Sequence, residues 1–162
     1  MTVPRIGILA LSALTALTLT TSLAEPVSSS AAAASEAAPV RAAAPAVLRM
    51  TNAERARHGC APLRLDARLS RAASGHARSM SARHFLSHSS PDGRNWAQRI
   101  RATGYRDPGG ENIAEGFGSV EAVMSAWMHS PEHRANILRC GFRRIGVGHA
   151  AAGGYWVQDF GY

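Results

Sequence analysis

The sequence predicts a domain of the α+β class, in which a series of helices precedes a C-terminal β-hairpin. Two stretches, after Asp66 and after Ser119, place apolar residues three or four positions apart, as in helices that bury one face. At the C-terminus, IGVGH and YWVQDF are typical of two strands joined by the turn AAAGG. Because the second strand ends close to the last residue, we expect it to lie inside the sheet.

Two helices are predicted in the first half of the domain. The first spans residues 46–58 and ends at Gly59, a residue suited to a left-handed C-cap. The second is capped by Asp66, and its predicted buried face consists of Leu69, Ala72, Ala73, His76, Ala77 and Met80. The histidine in this apolar stripe is interpreted as a core residue that is hydrogen-bonded to backbone, rather than as a ligand.

A turn and two further helices are predicted next. Residues 90–93, Ser-Pro-Asp-Gly, are typical of a turn, and residues 95–105 predict a helix that ends at a glycine. Residues 106–110 are expected to form a loop, and residues 111–118 a short extended segment. Ser119 then opens a helix with a regular apolar series: Val120, Val123, Met124, Trp127 and Met128.

The stretch HSPEH at residues 129–133 matches the His-x-x-Glu-His pattern of inverted zinc metallopeptidases, in which two histidines lie one helical turn apart. Pro131 argues against that interpretation, because it cannot continue a helix and disfavours helical geometry at Ser130. Serine, proline and an acid in succession instead predict the start of a new helix. His129 therefore ends one helix and His133 begins the next, so the two rings are not expected to share a face.

Residues 1–44 are predicted to precede the folded domain. Residues 1–24 carry one positive charge before an apolar, threonine-rich run and end in small residues suited to cleavage, which predicts a secretory signal peptide. A membrane anchor is disfavoured, because the apolar core is short for a bilayer. Residues 25–44 are rich in Ala, Ser and Pro and predict a disordered linker. Residues 45–162 are long enough for one compact domain.

The charge of the chain favours anionic partners. All 18 basic residues are arginines, and against 11 acidic residues they give a formal net charge of +7. Such a surface attracts wall polymers, such as teichoic acids, and anionic lipids. The arginines are scattered and lack interleaved aromatic residues, which argues against nucleic-acid binding. We further expect no stable membrane insertion and a monomeric chain.

Cys60 and Cys140 are the only cysteines of the sequence. In an exported chain two such thiols usually form a disulfide. Closing a loop of about 80 residues would add on the order of 4 kcal/mol to the free energy of unfolding by the chain-entropy argument. The alternative is a pair of buried free thiols.

Several motifs occur in order through the domain: NAERARHGCAPLRLD, GHARSM, FLSHSSPDG, GENIAEG, AWMHSPEHRANIL and GVG…YWVQDFG. In this order the chain resembles the CAP superfamily, which includes cysteine-rich secretory proteins, antigen-five venom allergens and plant pathogenesis-related proteins. It is most similar to the bacterial SCP-like branch. The resemblance implies a three-layer α-β-α sandwich, with a small antiparallel sheet between helices and a cleft on one side.

The resemblance also implies that His88, Glu111 and His133 converge in this cleft, where many members place two histidines and two acids. The second acid of animal members would fall where this chain has His129 and Ser130, so the sequence departs from the pattern there. From the residues alone, His133 lies at a helix N-terminus, where the helix dipole is expected to lower its pKa and keep the ring neutral.

Two chemistries are open to these residues. Two imidazoles and one carboxylate can hold zinc with an open fourth position, so His88 and His133 are candidate ligands for zinc or another divalent cation. Alternatively, Glu111 accepts hydrogen bonds from the histidines in a buried polar network that joins loops without turnover. No serine or cysteine nucleophile with a paired base is identifiable, although Ser87 and Ser89 flank His88 in sequence.

We therefore predict a secreted binding module of the cell envelope or its surroundings, without enzymatic activity, that is released or loosely associated with the wall. Its expected partner is an anionic wall polymer, a glycan or a secreted protein. A divalent-metal-dependent, peptidase-like hydrolase that uses the same cleft is the first alternative. Lipid or sterol binding is the second, which the resemblance to some eukaryotic members implies.

Overall fold

A computed structural model describes residues 29–162, which form five helices and four strands. These are α1 Ser29–Arg57, β1 Arg64–Leu65, α2 Ala67–Arg83, α3 Trp96–Ala102, β2 Pro108–Ala114, α4 Val120–His129, α5 Pro131–Ile137, β3 Arg144–Ala150 and β4 Tyr155–Gly161. The predicted signal peptide, residues 1–24, lies outside the described residues. Within residues 29–162, no helix combines the length and the apolar character needed to cross a membrane.

The strands form one mixed sheet in the order β1-β3-β4-β2. β3 and β4 are the predicted antiparallel hairpin, and β2 pairs antiparallel with β4. The two-residue β1 pairs in parallel with β3, so the sheet is antiparallel except at this short edge. β4 is an inner strand, as predicted. β2 lies at the other edge, where both α3 and α5 contact it.

Helices cover both faces of the sheet, which confirms the predicted α-β-α sandwich. On one face α1, α4 and α5 pack on the sheet, and the buried cluster includes Val47, Met124, Trp127, Ile137, Val147, Trp156 and Phe160. On the other face α2 packs on Ile113, Tyr155 and Val157, and α3 joins it by packing Ile100 against Leu69. Removing these apolar side chains from water on both faces is the main source of stability.

Two glycines of β3 allow α2 to lie close to the sheet. A Cβ atom on Gly146 would be 2.1 Å from the carbonyl carbon of Leu69, and one on Gly148 would be 2.3 Å from that of Ala73. The backbones of α2 and β3 are therefore in direct contact, and no larger residue fits at either glycine. The predicted buried face of α2 is confirmed, and it is this face that meets the sheet.

Two predicted helix caps are present, whereas Ser130, the predicted N-cap of α5, makes no side-chain cap hydrogen bond. Asp66 accepts hydrogen bonds from two backbone N–H groups of the first turn of α2, and Ser119 accepts one from the first turn of α4. α4 ends at His129 and α5 begins at Pro131, so the two histidines of HSPEH lie in different helices, as predicted.

The starts of α1 and β2 differ from those predicted, and α3 and β2 also end earlier than predicted, at Ala102 and Ala114. α1 begins at Ser29 rather than at residue 46, and it includes most of residues 25–44, for which a disordered linker is predicted. The composition accounts for the difference, because alanine has the highest helix propensity of all residues. β2 begins at Pro108, within the predicted loop 106–110, because its pairing with the end of β4 starts there.

Cys60 and Cys140 form a disulfide, which confirms the predicted pairing and joins the segment after α1 to the segment after α5. The buried side chain of Arg55 reinforces this junction. Its guanidinium donates four hydrogen bonds of 2.8 to 3.1 Å to backbone carbonyl oxygens, those of Ala61, Ile137, Arg139 and Phe142.

Candidate functional site

Glu111, on β2, is at the centre of a cluster of charged side chains. Its side chain is 1% exposed, and both carboxylate oxygens accept hydrogen bonds. Oε1 accepts from Nδ1 of His88 at 2.8 Å, and Oε2 accepts from Nη2 of Arg99 at 2.6 Å. The side chain of Arg99 is only 9% exposed, so water screens this ion pair weakly. The structure therefore joins His88 to Glu111 and adds a buried arginine.

The loop between α2 and α3 is wrapped around the guanidinium of Arg99. Nη1 of Arg99 donates to the carbonyl oxygens of His88 and Arg94 and to Oγ of Ser90. Since Nη2 of the same group binds Glu111, one side chain links the loop to the edge strand. Arg99 thus sets the position of His88 relative to the carboxylate.

The hydrogen bond to Glu111 also selects the tautomer of His88. An ionised carboxylate only accepts hydrogen bonds, so Nδ1 of His88 carries a proton, and in the neutral ring Nε2 carries the lone pair. The side chain of His88 is 51% exposed, which leaves this outer nitrogen on the solvent side. In such a pair the carboxylate orients the ring, and the outer nitrogen can accept a proton or contact a ligand.

A second acid, Asp159, lies beside Glu111. The two residues are directly opposite each other in the pairing of β2 with β4, and Asp159 is 2% exposed. Burial, and then the charge of Glu111, raise the pKa of Asp159 well above its usual value. As a carboxylate, Asp159 would leave Oδ1 without a partner among the described residues. As a neutral acid it donates a hydrogen bond to Glu111, so the negative charge stays on Glu111, next to Arg99.

The opposite face of the same strand pair carries a neutral polar network. Asn112 and Gln158 are the next opposed pair of β2 and β4, and they face α1, α4 and α5 because side chains alternate along a strand. Nδ2 of Asn112 donates to Oε1 of Gln158 at 3.1 Å, and Nε2 of Gln158 donates to Oγ1 of Thr51 at 3.0 Å. Asn136 of α5 joins the network by donating to Oδ1 of Asn112 at 2.9 Å.

This neutral network positions His133. The backbone carbonyl oxygen of His133 accepts from Nδ2 of Asn112 at 3.1 Å, which holds the first turn of α5 against the edge strand. Burial lowers the pKa of the half-buried His133 ring, and nearby His88 lowers it further. The ring is therefore neutral, as expected, with burial as the main cause. His133 makes no side-chain hydrogen bond to Glu111, so it is not part of the carboxylate pair, although the charge of a protonated His88 reaches it and lowers its pKa.

The residues do not fit the expected three-ligand zinc site. Among the side chains that the structure describes, no three from His, Cys, Asp or Glu form a group that could hold a metal ion. Glu111, the expected third ligand, has both oxygens engaged by His88 and Arg99. The guanidinium at 2.6 Å would also repel a dication at that carboxylate. A site made of His88 and His133 alone stays a prediction.

Two other histidines lie apart from Glu111. His129 is exposed, and its Nδ1 donates to the carbonyl oxygen of Ser125 in its own helix at 2.8 Å. His76 is buried, and its Nε2 donates to the carbonyl oxygen of Ser87 at 2.8 Å, the arrangement predicted for a core histidine. Burial lowers the pKa of His76, so the ring is neutral.

Sequence reasoning missed Arg99, Asp159 and the network around Asn112. One signal for them was present, because Gln158 and Asp159 are adjacent polar residues in a strand predicted to lie inside the sheet. Adjacent residues face opposite layers, and buried polar side chains need partners, so this pair predicts polar groups on both faces. Arg99 gave no comparable signal, since the other arginine of its short helix, Arg101, is exposed.

The fold and the site define a class of protein: a disulfide-linked α-β-α sandwich that presents a histidine–carboxylate pair at the edge strand of its sheet. The chain belongs to the cysteine-rich secretory protein family, CAP, whose model matches residues 48–160.

Two proteins of Bacillus subtilis (strain 168) are similar in sequence. The uncharacterized protein YkwD is 38% identical over 115 residues, which cover 70% of this chain and 45% of YkwD. The uncharacterized membrane protein YlbC is 31% identical over 116 residues, covering 70% of this chain and 33% of YlbC. The chain thus spans less than half the length of these curated relatives.

Solved structures show the same fold. An extracellular protein with an SCP domain from Bacillus anthracis str. Ames matches with a TM-score of 0.74 and 25% identity, over 85% of this chain and 45% of that chain. An outer surface protein from Borrelia burgdorferi matches with a TM-score of 0.64 and 21% identity, over 71% of this chain and 88% of that chain. The latter likeness concerns the fold alone.

Proposed function

We propose that this chain is a secreted, non-enzymatic binding module of the cell envelope, and that its partner contacts the surface formed by His88 and His133. The observation that carries the proposal is the saturation of Glu111 by His88 and Arg99. A carboxylate engaged in this way orients an imidazole and joins the loop to the sheet. It is not free to act as a nucleophile or as a metal ligand.

Three observations support secretion. The disulfide between Cys60 and Cys140 suits an oxidising compartment. Residues 1–24 have the pattern of a signal peptide. The related structure from Bacillus anthracis belongs to an extracellular protein. We propose release into the medium, or loose retention on the wall through charge.

The charge of the chain supports an anionic partner. The net charge of +7 favours a wall polymer, an acidic glycan or an acidic secreted protein. Such attraction is screened by salt, so capture of the partner should weaken as the ionic strength rises.

The two alternatives have less support. A metal-dependent hydrolase lacks a third ligand among the side chains that the structure describes, and the hydroxyl group of Ser87 accepts from the backbone N–H of Ser89 rather than from His88. A lipid or sterol site needs an apolar groove. Within the described part of the chain, the exposed large apolar side chains come from three separate segments, at Leu65, Leu86 and Tyr162.

A pull-down from purified cell envelope tests the proposal. We expect the purified chain to retain an envelope component, and the variant His88→Ala/His133→Ala to lose most of this retention. His129→Ala is the matched control, because His129 is exposed and binds only its own helix. Retention that is the same for all three chains would place the binding surface elsewhere.

Calorimetry with zinc tests the hydrolase alternative separately. Tight zinc binding that is lost in His88→Ala/His133→Ala, together with a hydrolytic activity that a chelator abolishes, would overturn the non-enzymatic proposal.

A further inference from the structure

A second surface feature lies between α2, α3 and the loop that joins them. It is a pocket with a volume of about 380 Å³. Four of its lining residues are arginines, at positions 71, 83, 94 and 99, and Asp92 is the one acid among the lining residues. Small-molecule sites are typically pockets of this size, and an excess of guanidinium groups favours an anion.

The arginines differ in how much of their hydrogen-bonding capacity is free. Nη1 and Nη2 of Arg99 already donate to the loop and to Glu111, so Arg99 contributes mainly charge to the pocket. Arg94 is paired with Asp92 at the surface. Arg71 and Arg83 form no ion pair with any acidic side chain that the structure describes, and Arg71 donates one hydrogen bond, to the carbonyl oxygen of Thr103. Arg71 and Arg83 are therefore the available donors.

The rest of the lining combines small apolar residues with hydroxyl-bearing ones. Gly75 and Ser79 contribute the α2 side, and no atom lies within 4 Å of the place where a Cβ on Gly75 would be. His76 also lines the pocket and is 1% exposed. Its Nε2 donates to Ser87, and its Nδ1 is buried without a partner among the side chains and backbone groups that the structure describes, so His76 shapes the pocket wall rather than offering a contact.

We infer that this pocket binds the phosphate group of a hydroxylated ligand, a sugar phosphate or polyol phosphate. Guanidinium groups match phosphate in geometry as well as charge, and two unpaired arginines suit a group with several anionic oxygens. The hydroxyl group of Ser79 can hydrogen-bond to a hydroxyl group of the same ligand.

Such a ligand has two sources, a free sugar or polyol phosphate and a repeating polyol-phosphate chain of the cell wall. The second source rests on the proposed function, because it requires the chain to meet the envelope. The phosphate site itself does not, since its residues are distinct from His88 and His133.

Nuclear magnetic resonance titration of the ¹⁵N-labelled full chain tests the inference. We expect glycerol 3-phosphate to shift the amide signals of Gly75, Ser79 and Thr103 saturably, and to bind several-fold more tightly than inorganic phosphate. Glycerol alone should cause no shift. Arg71→Gln/Arg83→Gln should weaken binding at least about tenfold, because two charge-assisted contacts are lost.

The control variant is Arg49→Gln/Arg106→Gln, which removes the same charge from two exposed arginines that do not line the pocket. It should bind as the unchanged chain does. Equal weakening in both double variants would overturn the site, because binding would then follow net charge. Equal affinity for inorganic phosphate and glycerol 3-phosphate would contradict the inference that the pocket recognises the hydroxyl groups of its ligand.

Two further measurements distinguish the two ligand sources and test the phosphate site separately from the proposed function. A poly(glycerol phosphate) chain that binds more tightly than the monomer at equal phosphate concentration identifies the wall polymer, and equal binding identifies the free compound. The variant His88→Ala/His133→Ala should bind glycerol 3-phosphate normally. If this variant loses envelope capture but still binds glycerol 3-phosphate, the phosphate site stands independently of the histidine surface. If Arg71→Gln/Arg83→Gln loses glycerol 3-phosphate binding but keeps envelope capture, the envelope component is not held through the phosphate site.

Discussion

Glu111 and Asp159 face each other across β2 and β4, and these two buried acids hold one negative charge between them. The charge lies on Glu111 because Arg99 binds that carboxylate. Asp159 is kept neutral by burial and by the charge opposite it. Two acids are tolerated in the interior for this reason: one is paired with a guanidinium and the other retains its proton.

Asp159→Asn should be more stable than the unchanged chain, by an amount that grows with pH. The pKa of Asp159 is raised in the folded state, so its contribution to stability is complete below its usual pKa and is lost as the pH rises through the raised value. Asparagine keeps a donor toward Glu111 and has no proton to lose. The difference in unfolding free energy, measured with urea from about pH 5 to pH 9, should rise by up to about 1.4 kcal/mol per pH unit.

The control for this experiment is Asp92→Asn. Asp92 is an exposed acid whose pKa is lowered by hydrogen bonds from Arg94. Its contribution to stability is lost only as the pH falls through that lowered pKa. The difference in unfolding free energy between Asp92→Asn and the unchanged chain should therefore not grow above about pH 5. A difference for Asp159→Asn that does not change with pH would show that Asp159 is ionised in the folded chain.

Glu111→Gln and Asp159→Asn should not be additive. Asp159→Asn alone leaves the pair of Glu111 and Arg99 intact, and in Glu111→Gln alone Asp159 can ionise beside Arg99. The double variant leaves the guanidinium of Arg99 buried without a carboxylate, which is expected to cost about 3–5 kcal/mol. Urea unfolding of the unchanged chain, the two single variants and the double variant at neutral pH gives the coupling free energy between positions 111 and 159.

A third change checks the cause of that loss. Arg99→Met in the double variant removes the uncompensated charge, and we expect it to restore part of the stability. If the double variant loses no more than the sum of the single variants, the two acids do not share Arg99.

His88 and His76 should carry their protons on different nitrogens. His88 donates from Nδ1 to Glu111, whereas His76 donates from Nε2 to the carbonyl oxygen of Ser87. Long-range ¹H–¹⁵N correlation spectra of the labelled chain, recorded with neutral rings, distinguish the two tautomers. His88→Gln and His76→Gln assign the signals. An Nε2-protonated His88 would contradict the orientation of its ring by Glu111.

Gly146→Ala should be severely destabilising, and Gly75→Ala mildly stabilising. A Cβ on Gly146 would be 2.1 Å from backbone of α2, which no rotamer change relieves, so we expect a loss of about 3 kcal/mol or more. Gly75 lies inside the same helix with open space around it, and alanine there should add about 0.5–1 kcal/mol through helix propensity. Thermal or urea unfolding measures both, and similar effects at the two positions would contradict the close packing of α2 on β3.

The sequence by itself determined the local elements of this protein. The apolar period of α2 and α4, the caps at Asp66 and Ser119, and the turn of the β3–β4 hairpin all depend on residues within a few positions of each other. The break between His129 and His133 is of the same kind, because Pro131 acts on its immediate neighbours. Such patterns are readable without any knowledge of the tertiary structure.

Only the tertiary structure decided what surrounds Glu111. Arg99 reaches it because the preceding loop wraps around a guanidinium, and Asp159 reaches it through the register of β2 with β4. Neither contact can be predicted from residues that are close together in the sequence. The alternation of side chains along β2 then turns Asn112 toward α5, while Glu111 points to the other face. This is why His88 binds the carboxylate and His133 is held by its neighbour.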